Sequence, residues 1–474
     1  MTSSHTQTSW SALPVLLAGA FMVVLDFFIV NVALPSIATG LGASESSLEW
    51  VVAGYGLSFA AFLIVAGRLG DELGRRRVYA LGLGLFVAAS AACGLAPSPA
   101  TLVAARVAQG AAGAIVMPQV LSILAVTYRG PDYARALSAY GMALGLAAVS
   151  GQIIGGALVE SDLLGLGWRS CFLINVPVGL AALALTPRLV PESRAPSRAR
   201  IDLAGALTLG VALVAVLLPL IQGRQAGWPL WTWLSFGAGA IVSSGFIVRQ
   251  GRLTRRGAAP LVDLALFSRR SFSAGLVVQL VLAAAQAAFF VYLALYLQQG
   301  RGLGALEAGL VFTILAASYV ATSGPAPALT ARLGRAVVAV GGAVLAAGLG
   351  LLAVVVGDVG TGGSIAALVP GLVLVGAGIG LCYTPLTSIV LTAVDPRRAG
   401  AASGVMATTQ QVGYALGVAV TGLIFFGSGD DLGHAFALSA AQLGATAAVI
   451  VVATGFLPAQ RAARAAGAPE PAGA

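Results

Sequence analysis

Residues 12–34 read ALPVLLAGAFMVVLDFFIVNVAL, an apolar run interrupted by one charge, Asp26. A helix needs about 20 such residues to cross a hydrocarbon core about 30 Å thick. Lipid offers no water to backbone N–H and C=O groups, so a crossing segment must pair them internally, and a helix does so. The same reading repeats along the chain. Comparable stretches fall at 49–67, 78–96, 101–127, 136–159 and 169–187, then 202–222 and 231–249. Six more follow at 272–297, 306–329, 336–356, 364–390, 401–426 and 435–457. The expected fold class is therefore an all-α integral membrane protein with about fourteen transmembrane helices. Two six-helix halves, 12–187 and 272–457, flank a linker at 188–271 that carries two additional spans. The tail at 458–474, rich in Ala, Pro and Gly, is expected to be disordered.

Composition agrees with life in a bilayer. The chain is 58% hydrophobic and 9% charged over 474 residues, whereas soluble domains carry roughly 25% charged residues. The formal net charge is +9, and every basic residue is Arg. The arginines are spread between spans and form no patch, so they report topology rather than nucleic-acid binding. With the N-terminus inside, the inward loops hold most of them, among them Arg75, Arg129, Arg200, Arg256, Arg332 and Arg397. The outward loops keep Arg169, Arg224 and Arg301 beside acids such as Glu45 and Asp430. Both termini are thus expected to be cytoplasmic, and the span count even. The N-terminus lacks a basic n-region and a cleavage pattern, so the first span is expected to be retained.

Enzyme and ATP-pump chemistry find no support. There is no H-E-x-x-H, no Cys cluster, no Walker loop and no appended soluble domain. No metal and no cofactor is expected. Cys93, Cys171 and Cys382 sit inside apolar stretches, where packing is the ordinary role.

A weak internal repeat is visible. GRLGDELGRRR at 67–77 follows the second span, and ALTARLGR at 328–335 follows the tenth; both contain Leu-Gly-Arg. Gly113 precedes Pro118 in the fourth span as Gly380 precedes Pro385 in the twelfth. Repeated halves are the usual plan of a transporter, with the substrate held near the bilayer midplane.

Two ionisable side chains lie well inside spans, Asp26 and Arg106. A charge there costs at least ~2.5–3.5 kcal/mol, so it needs a partner or a cavity. At 1.5 Å per residue, Asp26 lies roughly 20 Å from the inner end of its helix, and Arg106 roughly 8 Å below the outer end of its own. In a core about 30 Å thick these levels nearly coincide. A buried acid whose Arg neighbour approaches and withdraws can load and release a proton; a static structural pair is the plainer alternative. Gln109 lies one turn below Arg106. Gly145, Gly151, Gly155 and Gly156 in the fifth span read either as close packing or as a bendable helix. In the segment 67–77, Gly67, Gly70, Asp71, Gly74 and Arg75 combine tight-turn glycines with an acid and a basic run.

These residues carry a resemblance. GRLGDELGRRR resembles the loop signature of the major facilitator superfamily. LDFFIVNVALP at 25–35 is similar to the first-span signature of its fourteen-span drug:proton antiporters. ARVAQGAAGA at 105–114 is similar to their fourth-span signature, and WRSCFLINVPVG at 168–179 to their entry into the sixth span. YLQQGRGLGALEAGL at 296–310 also fits. The resemblance covers about 20–460. It implies a rocker-switch transporter in a cell membrane, expelling amphipathic drugs or secondary metabolites in exchange for protons. Asp26 and Arg106 would serve proton coupling, and the segment around Asp71 and Arg75 would serve as a gate. No nucleic acid is implied, and a monomer is expected.

Two positions depart from the pattern. The fifth span has Gly151-Gln152 where the family reads Gly-Pro, which leaves proton-coupled uptake as an alternative. The thirteenth has Gln410-Gln411 where Arg-Gln is common. Side chains able to line a cavity are Phe27, Tyr55, Gln109, Gln152, Gln279, Gln286, Tyr292 and Tyr383, although packing explains most of them equally well.

Overall fold

The computed structural model describes residues 10–194, 202–256, 260–262, 264–392, 394 and 399–457. The remaining positions, including the tail at 458–474, lie outside the described residues. No strand occurs among the described residues, as backbone pairing in lipid requires. Sixteen α-helices are present among the described residues. The first seven are α1 (Ala12–Leu41), α2 (Glu45–Leu73), α3 (Arg75–Gly94), α4 (Pro99–Thr127), α5 (Gly130–Ser161), α6 (Ser170–Leu173) and α7 (Asn175–Leu189). Next come α8 (Leu203–Gln222) and α9 (Leu230–Arg255). The last seven are α10 (Arg270–Leu295), α11 (Ala305–Ser323), α12 (Ala326–Leu333), α13 (Ala336–Val359), α14 (Val369–Thr392), α15 (Ala399–Phe425) and α16 (Leu432–Thr454).

Twelve helices are long and apolar enough to cross a membrane, counted over the described residues. The sequence reading of about fourteen adds α8 and α15. The described apolar part of α8, Leu207–Gln222, is shorter, and α15 carries the polar run Thr408, Thr409, Gln410 and Gln411.

Chain contacts divide the protein into two compact units, Met1–Leu261 with Leu303–Leu310, and Val262–Gly302 with Val311–Ala474. In the first, α1 packs on α5, α2 on α4, and α3 on α4 and α7; α8 packs on α2 and α9. In the second, α10 packs on α15 and α16, and α13 on α14 and α16. The repeat extends to individual contacts. Gly151 and Gly155 bring α5 to 3.3 Å from the Leu25 carbonyl and 3.0 Å from the Ile29 carbonyl, measured from where a Cβ would stand. Gly413 and Gly417, at the same spacing on α15, meet the Leu280 and Ala284 carbonyls of α10 in the same way. A Cβ on Gly110 would overlap the Tyr55 carbonyl and Ser58 Oγ of α2; one on Gly376 would overlap the Leu315 carbonyl and Ser318 Oγ of α11. Small residues at these points let backbones approach where lipid supplies no hydrophobic drive for helix association.

The segment 67–77 is not the loop its glycines predict. α2 continues as helix through Leu73, and α3 starts at Arg75. Only Gly74 leaves the helix, at φ +107°, and a Cβ there would meet the Glu192 carboxylate at 2.9 Å. The glycines at 67 and 70 are therefore helical; Gly70 leaves room for the Gln119 side chain, whose amide donates to the Ala66 carbonyl at 2.7 Å.

Candidate functional site

Four helices of the first unit bring polar side chains to one point inside the bundle. Asp26 comes from α1, Ser90 from α3, Arg106 and Gln109 from α4, and Asn175 from the first turn of α7. All are buried, Asp26 and Arg106 to 0% exposure. Arg106 and Gln109 share a face of α4 because they stand three residues apart. Asn175 opens α7, with only Ile174 between it and the end of α6. Pro177 has no N–H, so the Leu173 carbonyl loses its helical partner, and the helix is interrupted between α6 and α7.

The Asp26 carboxylate is saturated with donors. Arg106 Nη1 donates to Oδ2 in a close ion pair. Gln109 Nε2 and Asn175 Nδ2 both donate to Oδ1, each at 2.7 Å. The same two amides reach Ser90 Oγ at 2.8 and 3.4 Å. Arg106 is held from its other sides as well. Its Nε donates to the Val51 carbonyl at 3.0 Å, and its Nη1 to Gln109 Oε1 at 2.7 Å. The Tyr55 ring lies 4.3 Å from the guanidinium carbon, a cation–π contact that gains strength away from water. Arg106 Nη2 and Asn175 Oδ1 are buried with no hydrogen-bond partner among the described residues. A buried charge pair is sustained only when its remaining donors and acceptors are met, and here nearly all are. The arrangement can hold a carboxylate charged in a dry interior. It can also make its charge depend on the position of one arginine.

The structure sorts the remaining sequence candidates. Tyr55 is buried, and its hydroxyl donates to the Val23 carbonyl at 3.1 Å. Phe27 is buried against Phe28 and Tyr55. Gln109 belongs to the charged cluster and lies at 0% exposure. Gln152 is buried and donates to the Phe28 carbonyl at 3.1 Å. Gly151 and Gly155 serve close packing of α5 on α1, and Gly156 approaches the Ala305 carbonyl; around Gly145 a Cβ would meet nothing within 4 Å. Of the signature at 67–77, Gly67 and Asp71 are described only as part of the α2 backbone. Gly74 and Arg75 receive the segment after α7: the Arg75 N–H donates to the Ser193 carbonyl at 2.9 Å, and the Arg76 N–H to Glu192 Oε1 at 3.1 Å.

In the second unit, Tyr292 is buried, donates to the Val418 carbonyl at 2.7 Å and packs on Phe425. Gln279 is buried, and its Oε1 has no hydrogen-bond partner among the described residues. Gln286 and Tyr383 meet each other: the phenol donates to Gln286 Oε1 at 2.7 Å. Sequence reading passed over Ser90, Asn175, Glu192 and Tyr414. For Asn175 a signal existed, an amide inside an apolar span just before a proline.

The sequence matches the Major Facilitator Superfamily over residues 16–418. It is 40% identical over 422 residues to a probable actinorhodin transporter of Streptomyces coelicolor, covering 88% of this chain and 72% of that protein. It is 36% identical over 435 residues to a cephamycin export protein of Amycolatopsis lactamdurans, covering 90% and 87%. Among solved structures, a D-xylose–proton symporter shares the fold with a TM-score of 0.68 at 15% identity, over 95% of this chain and 98% of that one. With its helices paired in two similar units and a charged cluster inside one of them, this chain belongs to the Major Facilitator Superfamily.

Proposed function

We propose that this protein exports amphipathic small molecules, drugs or secondary metabolites, across the plasma membrane in exchange for protons. The observation that carries the reading is the buried Asp26–Arg106 pair with its amide donors, since an intramembrane charge is functional by default. The names of the related exporters supply the direction. Asp26 is the proton carrier, and Arg106 is the countercharge that holds it ionised in one state and releases it in another. The segment around Asp71 and Arg75 acts as the gate on the inner side, through its ties to the stretch that ends at Ser193. The two six-helix halves alternate access, the pair α8–α9 is an insertion, and both termini are cytoplasmic, as the arginine bias supports. The working unit is a monomer in the lipid bilayer.

Gly151-Gln152, in place of Gly-Pro, favours uptake as a second reading, and the fold itself hosts symport. One experiment separates them. In cells with and without the protein, collapse of the proton gradient raises accumulation of an exported compound and lowers that of an imported one. Equal accumulation in both cell types across a broad compound panel would defeat the transport reading. Asp71→Asn is expected to keep expression and slow transport; a normal rate would remove the segment as a gate.

A further inference from the structure

A second polar cluster lies wholly inside the second unit, and nothing in the proton reading uses it. Gln286 of α10, Tyr383 of α14, and Gln410 and Tyr414 of α15 converge. The Tyr383 and Tyr414 hydroxyls donate to Gln286 Oε1 at 2.7 and 3.3 Å and lie 3.5 Å from each other. Gln410 Nε2 donates to the Tyr414 hydroxyl at 3.0 Å. These groups sit near mid-membrane. At 1.5 Å per residue, Gln286 is roughly 14 Å from the end of α10, and Tyr383 roughly 14 Å from the end of α14. Yet Gln286, Tyr383 and Gln410 are half-buried rather than enclosed. Polar groups at that depth are unfavourable against lipid and are found facing the bundle interior or a water-filled space.

The cluster also keeps capacity in reserve. Among the described residues neither the Gln286 –NH2 group nor the Gln410 carbonyl has a hydrogen-bond partner. A donor and an acceptor thus stand beside two aromatic rings. No Asp, Glu, Lys or Arg occurs in residues 271–295, 369–392 or 399–425, so the site offers no countercharge. Aromatic faces bind flat apolar surface, and phenol and amide groups bind oxygen and hydroxyl substituents. We infer that Gln286, Tyr383, Gln410 and Tyr414 form a substrate-recognition site for neutral, planar aromatic molecules bearing phenol or quinone oxygens. The inference rests on the transport reading for its purpose, but not for its test.

The test is equilibrium binding to purified protein in detergent, measured against protein-free micelles, with 1,4-dihydroxyanthraquinone and with anthracene. The two share a fused-ring frame; only the first carries oxygens. Wild-type protein is expected to bind the hydroxyquinone at least about tenfold more tightly relative to anthracene, since a site built to hydrogen-bond rejects the analogue that cannot. The double variant Tyr383→Phe/Tyr414→Phe keeps both rings and should bring that ratio close to one while anthracene binding stays within about twofold. Should that variant unfold, Gln286→Leu tests the same ratio from the amide side. A wild-type ratio near one, or a ratio unchanged in a folded variant, overturns the site. Binding needs no gradient, so loss of gradient-driven efflux with binding intact would count against the transport reading alone.

Discussion

The two units share a scaffold and differ in charge. Gly151 and Gly155 seat α5 on α1 as Gly413 and Gly417 seat α15 on α10, and Gly110 meets a carbonyl and a serine as Gly376 does. On that common frame the first unit buries an ion pair, Asp26–Arg106. The second carries an uncharged cluster of two phenols and two amides. A buried charge is maintained only by a dense, rigid set of partners, which leaves little freedom to accommodate varied ligands. Neutral donors and acceptors tolerate partial exposure and can exchange partners with a ligand. In the proposed reading the proton belongs to the first cluster and the substrate to the second, so a change in one need not disturb the other.

The largest expected effect breaks this contrast at its charged end. Asp26→Asn nearly preserves size but removes the titrating group. Gradient-driven efflux should be lost, and substrate-induced proton release from detergent-solubilised protein should vanish with it. Asp26→Glu should retain part of the activity, because the carboxylate stays and only its reach changes. Removing one member of a buried pair costs about 3–5 kcal/mol, so melting is measured alongside transport. If Asp26→Asn pumps at the wild-type rate with unchanged gradient dependence, the pair is structural, and Glu160 becomes the next acid to test.

Counter-charge sharpens the same contrast from the substrate side. With Asp26 as the single deep acid and none in the uncharged cluster, a divalent organic cation lacks compensation in low dielectric. Neutral, zwitterionic or monovalent compounds should be exported well, and a bis-cationic dye at no more than a few per cent of their rate. Efficient extrusion of such a dye would show that the second unit handles charge after all.

The likeness of the scaffolds can be broken too. Gly110→Ala and Gly376→Ala each push a methyl into a carbonyl and a serine hydroxyl. Overpacking of this kind costs about 1–3 kcal/mol, and the two melting temperatures should fall by similar amounts. Gly145→Ala meets open space and should leave stability unchanged or raised by at most ~1 kcal/mol, since alanine suits a helix better. Slowed transport in Gly145→Ala with no loss of stability would mark that position as a hinge.

What the sequence made legible follows from the same physics. Asp26 and Arg106 stand out because a charge inside an apolar run is rare and visible in one dimension. Counting residues from the helix ends even placed them at one level, and they do meet. Asn175, Ser90 and Tyr414 carry common polar side chains, and only tertiary packing brings the first two to Asp26 and the third to Gln286. Gln286 and Tyr383 were visible singly, but their meeting depends on the approach of α10 to α14, which no local pattern encodes. The segment 67–77 misled because its glycines resemble turn residues. Close approach to Gln119, rather than a turn, explains Gly70, and only Gly74 has the positive φ that a turn glycine implies.

The smallest expected effect concerns how the pair α8–α9 is fastened. Asp202 caps α8, accepting from the Gly205 N–H at 2.8 Å. Arg249 grips the same carboxylate with two nitrogens, at 2.8 and 2.7 Å. Gln250 donates to it at 3.1 Å and accepts from the Leu261 N–H at 2.7 Å. Burial pushes the Asp202 carboxyl up, but the bonds from Arg249, Gln250 and Gly205, with the Arg249 charge, outweigh it and bring the group to about 2. An unfolded Asp titrates near 3.9. The folded value is depressed, so the stabilisation is fully present above about pH 5 and is lost as pH falls through 4 towards 2. Its size is at most about 2.6 kcal/mol, less the screening that a partly exposed Arg249 allows. Hydrogen exchange at Gly205 and Leu261, corrected for the intrinsic pH dependence, should show protection dropping over that window. In Asp202→Asn protection should be low at pH 6 already and lack the step. The same step in that variant would mean that other groups hold α8 to α9.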